Sequence, residues 1–459
     1  MKLTDFKNKK IIILGMGREG IDNFLFLKKS FPDKVIGIGD RKHYEELDSN
    51  AKKCIEKYNG ARLHLGKQYL AALKKYDVIL KSPGIPYRII SPHISKNQLV
   101  ASQTEIFFDN CRGRIIGVTG TKGKSTTSSL IYAVLKAGGV KAHLIGNIEK
   151  PVLSYLSNST DKDVFVYELS SHQLQNLKQS PHIAVFLNIY PEHLDYYDNF
   201  RDYLAAKRNI ALYQQKQDYL IYNSSEKFVA ETAKKSTAIK ISFAFKKAQC
   251  SVKNGYITYN KKRIFKIKYN PFVAEFYLLD IMPAIIIGKL FGITDKKIQE
   301  AVRQFKPLKN RLELVGTYKG ITFYNDALAT IPEATIAAID SLGKGVQTML
   351  LGGYDRNINY KKLAEKILDN KIENVILFPT TGELIWNEIK KQSIKFNGFL
   401  PKNFPADTMR EAVRLAYLNT RRDRICLLSC ASASFSIFKD YKEKGDSFKK
   451  FVKKFAKLN

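Results

Sequence analysis

Short runs of apolar, mostly β-branched residues alternate along the chain with longer segments of amphipathic, helical periodicity. The runs are continuous in hydrophobicity, which is typical of strands buried on both faces of a parallel sheet. Strands that alternate with helices in this way indicate an α/β fold. The predicted strands are Ile11–Leu14, Val35–Ile38, Val78–Leu80, Ile115–Val118, Val164–Tyr167, Ala184–Asn188, Thr348–Leu351, Val375–Phe378 and Ile425–Ser429.

Two stretches depart from this alternation. Between residues 238 and 270, strand-like segments flank Asn254-Gly255, a pair that favours tight turns, so we expect small β-hairpins in the middle of the chain. Near the C-terminus, four apolar residues fall on one face of a helix whose other face carries lysines. They are Phe448, Phe451, Val452 and Phe455. We expect this helix to dock on its own domain, and a helix on a membrane surface is the alternative.

Charge, cysteine usage and the length of the apolar runs narrow the class of protein. The 459 residues include 76 Lys+Arg and 43 Asp+Glu, a formal net charge of +33, and 44% are hydrophobic. This composition excludes disordered and collagen-like chains, and the charge fits a nucleic acid, an anionic membrane or acidic substrates as partner. The 5 cysteines form no Cys-x-x-Cys pair, and no apolar run approaches the ~18 residues of a spanning helix. We therefore expect a cytoplasmic protein without stable membrane insertion.

A first glycine-rich segment, Gly15–Gly20 (the glycine turn), follows an apolar strand and opens a helical pattern. Its spacing, with Asp40 at the end of the next strand, is that of a dinucleotide fingerprint, in which a diphosphate approaches a helix N-terminus. The pattern leaves NAD, a UDP-sugar and a simple packing turn open. Arg41 and the turn Ser82-Pro83-Gly84 are expected at the same carboxyl edge of the sheet.

A second glycine-rich segment, Gly117–Thr127 (the phosphate loop), is the strongest motif of the chain. Backbone N–H groups of such a loop surround phosphates, a lysine such as Lys124 reaches the β- and γ-phosphates, and the hydroxyl of Ser125 is a ligand for Mg²⁺. The general motif would have glycine at 118, where this chain has valine, so the loop is a variant. The predicted ATP-binding residues in it are Gly120, Thr121, Lys122, Gly123, Lys124, Ser125 and Thr126.

Polar residues follow the next strands of this region. Glu168 ends one strand and is a candidate oxygen ligand for Mg²⁺. His193, after the following strand, is expected to coordinate a metal ion or meet a substrate oxygen, and Lys207 follows in a helical pattern.

Taken together, the motifs resemble those of the Mur ligases, which form amide bonds in peptidoglycan precursors at the expense of ATP. The similar segments are T-G-T-K-G-K-S-T at 119–126, Y-E-L-S-S-H-Q-L at 167–174, N-I-Y-P-E-H-L-D at 188–195, N-R-L-E at 310–313, Y-N-D at 324–326 and L-S-C-A-S-A-S-F at 428–435. The last segment and the glycine turn resemble the branch that adds glutamate to UDP-N-acetylmuramoyl-L-alanine. The resemblance covers nearly the whole chain.

This resemblance implies three domains: a Rossmann-like N-terminal domain (1–105), a central P-loop ATPase domain with a parallel sheet and small hairpins (106–308), and a C-terminal Rossmann-like α/β domain (309–459). It implies catalytic roles for Lys124, Glu168, His193 and Lys207, of which the last three, with Ser125, would bind two Mg²⁺ ions once Lys207 is carbamylated. Arg311 and Asp326 would join the ATP site. Substrate would be bound by Gly17, Arg18, Glu19, Asp40, Arg41, Ser82, Gly84, Asn147, Thr330, Arg356, Ser434 and Phe435.

The implied chemistry is ATP-dependent. The carboxylate of UDP-N-acetylmuramoyl-L-alanine would attack the γ-phosphate of ATP, and the amine of D-glutamate would then displace phosphate from the acyl phosphate. The crowded anions need Mg²⁺ and cationic side chains, and closure of the third domain is expected to exclude water. We expect a monomer that binds no nucleic acid and serves cell-wall synthesis, and hence cell shape and division.

Three motifs depart from the family pattern, at four positions. The usual His-Arg pair is Asn310-Arg311, a usual lysine is Leu328, and two asparagines that often meet adenine are Tyr277 and Asp280. L-glutamate or another amino acid therefore stays open as the added residue. Rival interpretations are a folate-type ligase, an NAD enzyme and a basic P-loop NTPase that acts on nucleic acid, although the chain has no basic-aromatic stacking module to support the last.

Overall fold

The computed structural model describes residues 2–146, 152–192, 196–269, 277–306, 308–356, 358–434 and 437–457. The helices in these ranges are α1 Arg18–Ser30, α2 Ser49–Lys57, α3 Tyr87–Ile90, α4 Gln103–Asn110, α5 Lys124–Ala137, α6 Ser171–Leu174, α7 Phe200–Leu212, α8 Lys227–Lys235, α9 Leu278–Leu290, α10 Asp295–Gln304, α11 Pro332–Leu342, α12 Lys361–Asp369, α13 Thr381–Ser393, α14 Met409–Asn419 and α15 Tyr441–Ala456.

The strands belong to three sheets. They are β1 Ile11–Leu14, β2 Ile36–Asp40, β3 Ala61–Leu65, β4 Val78–Lys81, β5 Leu99–Ala101, β6 Arg114–Thr119, β7 Ala142–Gly146, β8 Val164–Glu168, β9 Ile183–Phe186, β10 Tyr219–Asn223, β11 Ile239–Phe243, β12 Cys250–Lys253, β13 Tyr256–Tyr259, β14 Lys262–Lys266, β15 Glu313–Tyr318, β16 Ile321–Asn325, β17 Val346–Gly352, β18 Asn374–Phe378, β19 Lys402–Pro405 and β20 Ile425–Leu428. Among the described residues, those up to Phe305 pack as one compact unit and those from Lys306 as a second.

The first unit contains two sheets. The first sheet is parallel throughout, in the order β3-β2-β1-β4-β5. The second has the order β14-β13-β12-β11-β10-β9-β6-β8-β7 and is parallel except for the antiparallel ladders β12-β13-β14, which are the predicted hairpins. β1 and β8 are buried along their whole length, as their continuous apolar sequences require. α4 spans the predicted domain limit at residues 105 and 106 and leads from one sheet to the other.

The second unit is built on the sheet β15-β16-β20-β17-β18-β19, parallel except for the edge strand β15. The chain runs outward from β17 to β18 and β19 and returns to place β20 between β17 and β16. The strand order thus reverses at the carboxyl ends of β17 and β20, which is the position where open α/β sheets bind ligands. The predicted α/β fold is confirmed.

The C-terminal helix α15 packs on its own unit, as predicted. Phe448 and Val452 are buried, and the Tyr417 hydroxyl on α14 donates a hydrogen bond to the Val452 carbonyl oxygen at 2.8 Å. Within the described ranges, no helix combines the length and the apolar composition that crossing a membrane would require.

Candidate active site

The glycine turn lies at the carboxyl edge of the first sheet, and the predicted neighbours meet there. One Asp40 carboxylate oxygen accepts the backbone N–H of Met16 at 2.8 Å, and the Ser82 hydroxyl donates to the Gly15 carbonyl oxygen at 3.1 Å. A side chain at Gly20 would place its Cβ 1.9 Å from that same carbonyl oxygen, so only glycine fits the turn. The turn therefore presents the N-terminus of α1 at this edge, beside Gly17, Arg18, Arg41 and Gly84, all four of which are exposed.

The phosphate loop joins β6 to α5 and is held from several sides. Gly123 precedes α5 with φ +84°, a left-handed conformation that glycine adopts readily. The Lys122 N–H donates to the Asn188 side chain at 2.8 Å, and the Thr121 hydroxyl lies 2.9 Å from the Tyr203 hydroxyl. The Lys124 ammonium donates to the carbonyl oxygens of Gly120 and Thr121, both at 3.0 Å. The fixed loop directs the N-terminus of α5 toward the position that a phosphate would occupy.

Lys207, on α7, is a buried lysine that contacts the phosphate loop. Its side chain is 1% exposed, and its ammonium donates to the Gly120 carbonyl oxygen at 2.8 Å, the same oxygen that Lys124 contacts. Burial, and then the charge of Lys124, lower the pKa of Lys207 well below its usual value, although Glu192 and Glu168 oppose the shift. A lysine held in this way is readily neutral, and its amine is then a nucleophile.

The oxygen ligands for a cation are few but well placed. Glu168 ends β8, is 1% exposed and lies in register with Val118 of β6, while Ser125 is half-buried in the first turn of α5. Within the described ranges, no three His, Cys, Asp or Glu side chains form a cluster that could hold a metal ion alone. Mg²⁺ takes one or two protein oxygens and completes its coordination with water and phosphate, so this donor set fits Mg²⁺ bound together with ATP.

A cavity of about 330 Å³ connects the edges of the two sheets of the first unit. Its lining comes from the glycine-turn side and from the phosphate-loop side. The lining residues are Glu19, Pro83, Gly84, Lys124, Ser170, Ser171, His172, Gln173, Glu192, Tyr203 and Lys207. An elongated substrate in this cavity would meet the glycine turn at one end and the lysines of the phosphate loop at the other.

Direct contacts hold the two sides of the cavity together. Gln173 donates from its side-chain amide to a carboxylate oxygen of Glu19 at 3.1 Å. The Tyr196 hydroxyl lies 3.0 Å from the Pro83 carbonyl oxygen, and Asp22 accepts the Leu153 N–H at 3.1 Å. Glu19 was predicted as a site residue, but these contacts were not, because each one joins segments more than 100 residues apart.

Ionisable groups with restricted access to water mark the glycine-turn side of the cavity: Glu19 and Asp22 are half-buried and Lys81 is buried. Burial raises the pKa of Glu19 to about 7 and the pKa of Asp22 to about 6. Burial also lowers the pKa of Lys81 to about 8, against the attraction of Glu19. The second carboxylate oxygen of Glu19 is buried and has no hydrogen-bond partner in the described part of the chain. Glu19 therefore titrates near neutral pH, with a free position for a ligand.

In the second unit, the predicted residues follow the carboxyl ends of three neighbouring strands. Asp326 follows β16 and accepts hydrogen bonds from the Leu312 N–H at 3.0 Å and the Ser429 hydroxyl at 2.9 Å. Arg356 is exposed in the loop after β17. Ser434 lies in the loop after β20, and its hydroxyl is buried without a hydrogen-bond partner in the described structure, as expected of a group awaiting a ligand. Arg311 and Thr330 are half-buried.

The departures from the family pattern have local explanations. Asn310 adopts φ +62°, a left-handed conformation that asparagine tolerates, and its side-chain oxygen accepts from the Asn325 amide at 2.8 Å. Asp280 is 6% exposed, and its carboxylate accepts the Thr127 hydroxyl at 3.0 Å, which ties α9 to the phosphate loop. Leu328 is half-buried and brings no charge to its loop.

Three predicted residues, Asn147, His193 and Phe435, lie outside the described residues. Residues of the site that were not predicted include Gln173, Glu192 and Tyr203. Glu192 could have been predicted, since it follows β9 in the same segment as His193. In the structure its carboxylate pairs with the Lys122 ammonium at 2.8 Å.

Comparison with known proteins agrees with this geometry. Residues 118–279, which include the phosphate loop except Gly117, together with Glu168 and Lys207, match the model of the Mur ligase middle domain. The chain is 30% identical over 452 residues to the UDP-N-acetylmuramoylalanine–D-glutamate ligase of Streptococcus agalactiae serotype Ia, with 97% of each chain covered. It is 31% identical over 471 residues to the enzyme of the same name from Acetivibrio thermocellus, with 98% of each covered.

Solved structures share the fold. The UDP-N-acetylmuramate–alanine ligase of Thermotoga maritima superimposes with a TM-score of 0.59 at 14% identity, covering 98% of this chain and 100% of that one. A pseudomurein peptide ligase of Methanothermus fervidus gives a TM-score of 0.58 at 16% identity, with 98% and 100% covered. The family predicted from the motifs is confirmed, and the chain belongs to the Mur ligases, in the branch of the UDP-N-acetylmuramoylalanine–D-glutamate ligases.

Proposed function

We propose that this chain is an ATP-dependent ligase that joins D-glutamate to UDP-N-acetylmuramoyl-L-alanine in peptidoglycan precursor synthesis. The observation that carries this proposal is the cavity of the first unit, which is lined at one end by the glycine turn and at the other by Lys124 and Lys207. A sugar nucleotide anchored at the glycine turn would extend its terminal carboxylate toward the phosphate loop. Membership of the D-glutamate-adding branch supports the choice of substrates.

In the first step, the substrate carboxylate attacks the γ-phosphate of ATP, which forms an acyl phosphate and ADP. The backbone N–H groups at the start of α5 and the Lys124 ammonium stabilise the charge on the transferred phosphoryl group. The D-glutamate amine then attacks the acyl carbon, loses a proton and displaces inorganic phosphate. The second unit supplies the amino-acid site in this proposal, with Arg356, Thr330 and Ser434 around the incoming glutamate and Asp326 and Arg311 near ATP.

We propose that Mg²⁺ is held by Ser125 and Glu168, and a second ion by carbamylated Lys207 with His193. When bound, Mg²⁺ neutralises charge on the phosphates and so favours attack by an anion. The lowered pKa of Lys207 supports the carbamate, because a neutral amine can attack CO₂ and release a proton, which yields an anionic ligand from a cationic side chain. The fully buried ammonium beside Gly120 is otherwise a cost to the fold.

At the glycine turn, Gly17, Arg18, Glu19, Asp40, Arg41, Ser82 and Gly84 are proposed to hold the UDP-sugar. The α1 N-terminus and Arg18 offer positive partners for its diphosphate. A positive surface field from the +33 net charge would speed the capture of anionic substrates. We also propose that the enzyme acts as a monomer in the cytoplasm, where ATP is available.

The test is phosphate release from ATP, Mg²⁺ and UDP-N-acetylmuramoyl-L-alanine, with D-glutamate, L-glutamate and other amino acids offered separately. We expect release that depends on the sugar nucleotide and is fastest with D-glutamate. Release with another amino acid alone would correct the substrate, and release with none of them would overturn the function.

A further inference from the structure

Three buried hydroxyl groups in the second unit form a continuous chain beneath its carboxyl-edge loops. They belong to Tyr360, which precedes α12, Thr381, which begins α13, and Ser432, which follows β20. Tyr360 is 4% exposed and the other two are 0% exposed. The Tyr360 and Ser432 oxygens lie 2.8 Å apart, and the Ser432 and Thr381 oxygens lie 2.6 Å apart.

The chain of hydroxyls ends on a backbone carbonyl, which fixes its direction. The Thr381 hydroxyl donates to the Gly353 carbonyl oxygen at 3.1 Å. Each hydroxyl has one proton, so Ser432 must donate to Thr381, and Tyr360 must donate to Ser432. Burial raises the pKa of Tyr360, so the first donor keeps its proton at neutral pH.

Gly353 is the point at which the loops after β17, β18 and β20 meet. Its carbonyl oxygen also accepts the N–H groups of Thr380 and Thr381, at 2.9 and 3.0 Å. The next N–H, of Tyr354, donates to the Ala433 carbonyl oxygen at 2.8 Å. Gly353 has φ +151°, and a Cβ there would lie 2.3 Å from the Ala433 carbonyl oxygen, so this close approach requires glycine.

Two loops joined in this way carry Arg356 and Ser434 a few residues beyond the junction. We infer that Tyr360, Thr381 and Ser432 are positioning residues for the amino-acid substrate, because they fix the loop after β17 against the loop after β20. This inference rests on the proposed function, which places the incoming glutamate between Arg356 and Ser434. Buried networks in which every donor is satisfied hold one geometry, and small displacements of binding groups are costly.

The test compares Thr381→Val, which removes the hydroxyl with little change of shape, with Thr381→Ser, which keeps it. A matched control is Thr420→Val at the opposite, amino edge of the same sheet. The buried Thr420 hydroxyl lies 2.6 Å from the Ala416 carbonyl oxygen and 2.8 Å from the Thr348 hydroxyl, which also accepts the Asn374 side chain at 3.2 Å. Both valine variants thus break a buried hydroxyl pair, but only Thr381→Val breaks the one beneath the loops.

We expect Thr381→Val to raise the KM for D-glutamate by on the order of tenfold, because it removes the hydroxyl that hydrogen-bonds to both loops, and to leave the KM for ATP within about twofold. Thr381→Ser should stay within about threefold of the unaltered enzyme. Thr420→Val should lower the melting temperature similarly and leave both KM values unchanged. Tyr360→Phe, which removes only the first donor, gives a milder second variant if Thr381→Val does not fold.

Equal KM values for D-glutamate in the unaltered enzyme and in the folded Thr381→Val or Tyr360→Phe variant would overturn the inference. So would equal rises in the KM for ATP and for D-glutamate. Absence of amino-acid-dependent phosphate release from the unaltered chain is a different result, because it would overturn the proposed function itself.

Discussion

The glycine turn and the phosphate loop have the same local architecture and different electrostatic surroundings. Each follows a buried parallel strand and opens a helix whose N-terminus faces the cavity. Lys124 and Lys207 converge on one carbonyl oxygen at the phosphate loop, whereas Glu19 and Asp22 are half-buried beside the glycine turn. The backbone makes both sites receptive to an anion, and the side chains decide how strongly each attracts negative charge.

The difference suits the two ends of the proposed reaction. A triphosphate that must accept an attacking carboxylate needs concentrated positive charge. A sugar nucleotide must be oriented without being held too tightly for release, and the carboxyl of Glu19, in its protonated form, can donate a hydrogen bond without repelling a diphosphate. Changes at the two sites should therefore differ in kind as well as in size.

The largest effect is expected from Lys207→Ala. Removal of this amine from the phosphate loop should lower kcat by roughly a thousandfold, since it removes both the proposed carbamate and a group that touches Gly120. Added acetate or formate should restore part of the rate by supplying a carboxylate to the vacated space. The measurement is phosphate release across a range of each acid.

Lys28→Ala is the matched control for Lys207→Ala. Lys28 is also buried, at 5% exposure, and donates to the backbone carbonyls of Pro32 and Lys34 at the end of α1. It should lower the melting temperature and leave kcat within about twofold. Full activity of Lys207→Ala, or the same rescue of Lys28→Ala by acetate, would contradict the carbamate.

Strands, turns and helices that depend on residues close together in the sequence were predictable. Continuous apolar runs gave β1 and β8, and the glycine spacing located both turns. Strands β3, β5 and β19, by contrast, are short edge strands with exposed residues, so their sequences show little periodicity. The C-terminal helix was predicted because its apolar face repeats with helical spacing.

Contacts across long sequence separations were not predictable. Gln173 meets Glu19 across 154 residues, and Ser432 meets Tyr360 across 72. Nothing in the local sequence of a tyrosine or a serine shows which hydroxyl group it will face after folding. Lys207 could be assigned only through the family resemblance, because its burial beside Gly120 is a consequence of how α7 packs on β6 and β9.

The second largest effect is expected from Glu19→Gln, which should remove a pH dependence of the free energy of unfolding. Because the pKa of Glu19 is about 7 in the folded protein, against 4.5 for a carboxyl exposed to water as in the unfolded chain, the folded protein binds a proton more tightly than the unfolded chain. The free energy of unfolding should therefore fall as pH rises from about 4.5 to about 7, by roughly 3 kcal/mol from this residue. Lys81 stays charged in both states over most of this range and adds little slope.

Melting temperatures between pH 5 and pH 8 test this expectation. Asp22 contributes a slope of the same sign, but only up to its pKa of about 6, so the interval from pH 6 to pH 7 isolates Glu19. Glu19→Gln should flatten that interval, while Asp22→Asn should flatten only the part below pH 6. A profile for Glu19→Gln that keeps the full slope above pH 6 would show that another group titrates there.

The smallest effect is expected from Asp280→Asn, which places the family's usual amide beside the phosphate loop. The new side-chain oxygen can still accept the Thr127 hydroxyl, so the loop should keep its shape. Loss of one negative charge near the phosphate site should lower the KM for ATP by about threefold or less, since the charge is partly screened. Asp295→Asn is the control. The Asp295 carboxylate pairs with the Lys289 ammonium at 2.7 Å, and this pair lies at the end of α9 away from the phosphate loop. A fall in kcat of more than about tenfold in Asp280→Asn alone would mean that the carboxylate itself, and not only its hydrogen bond to Thr127, is needed for the reaction.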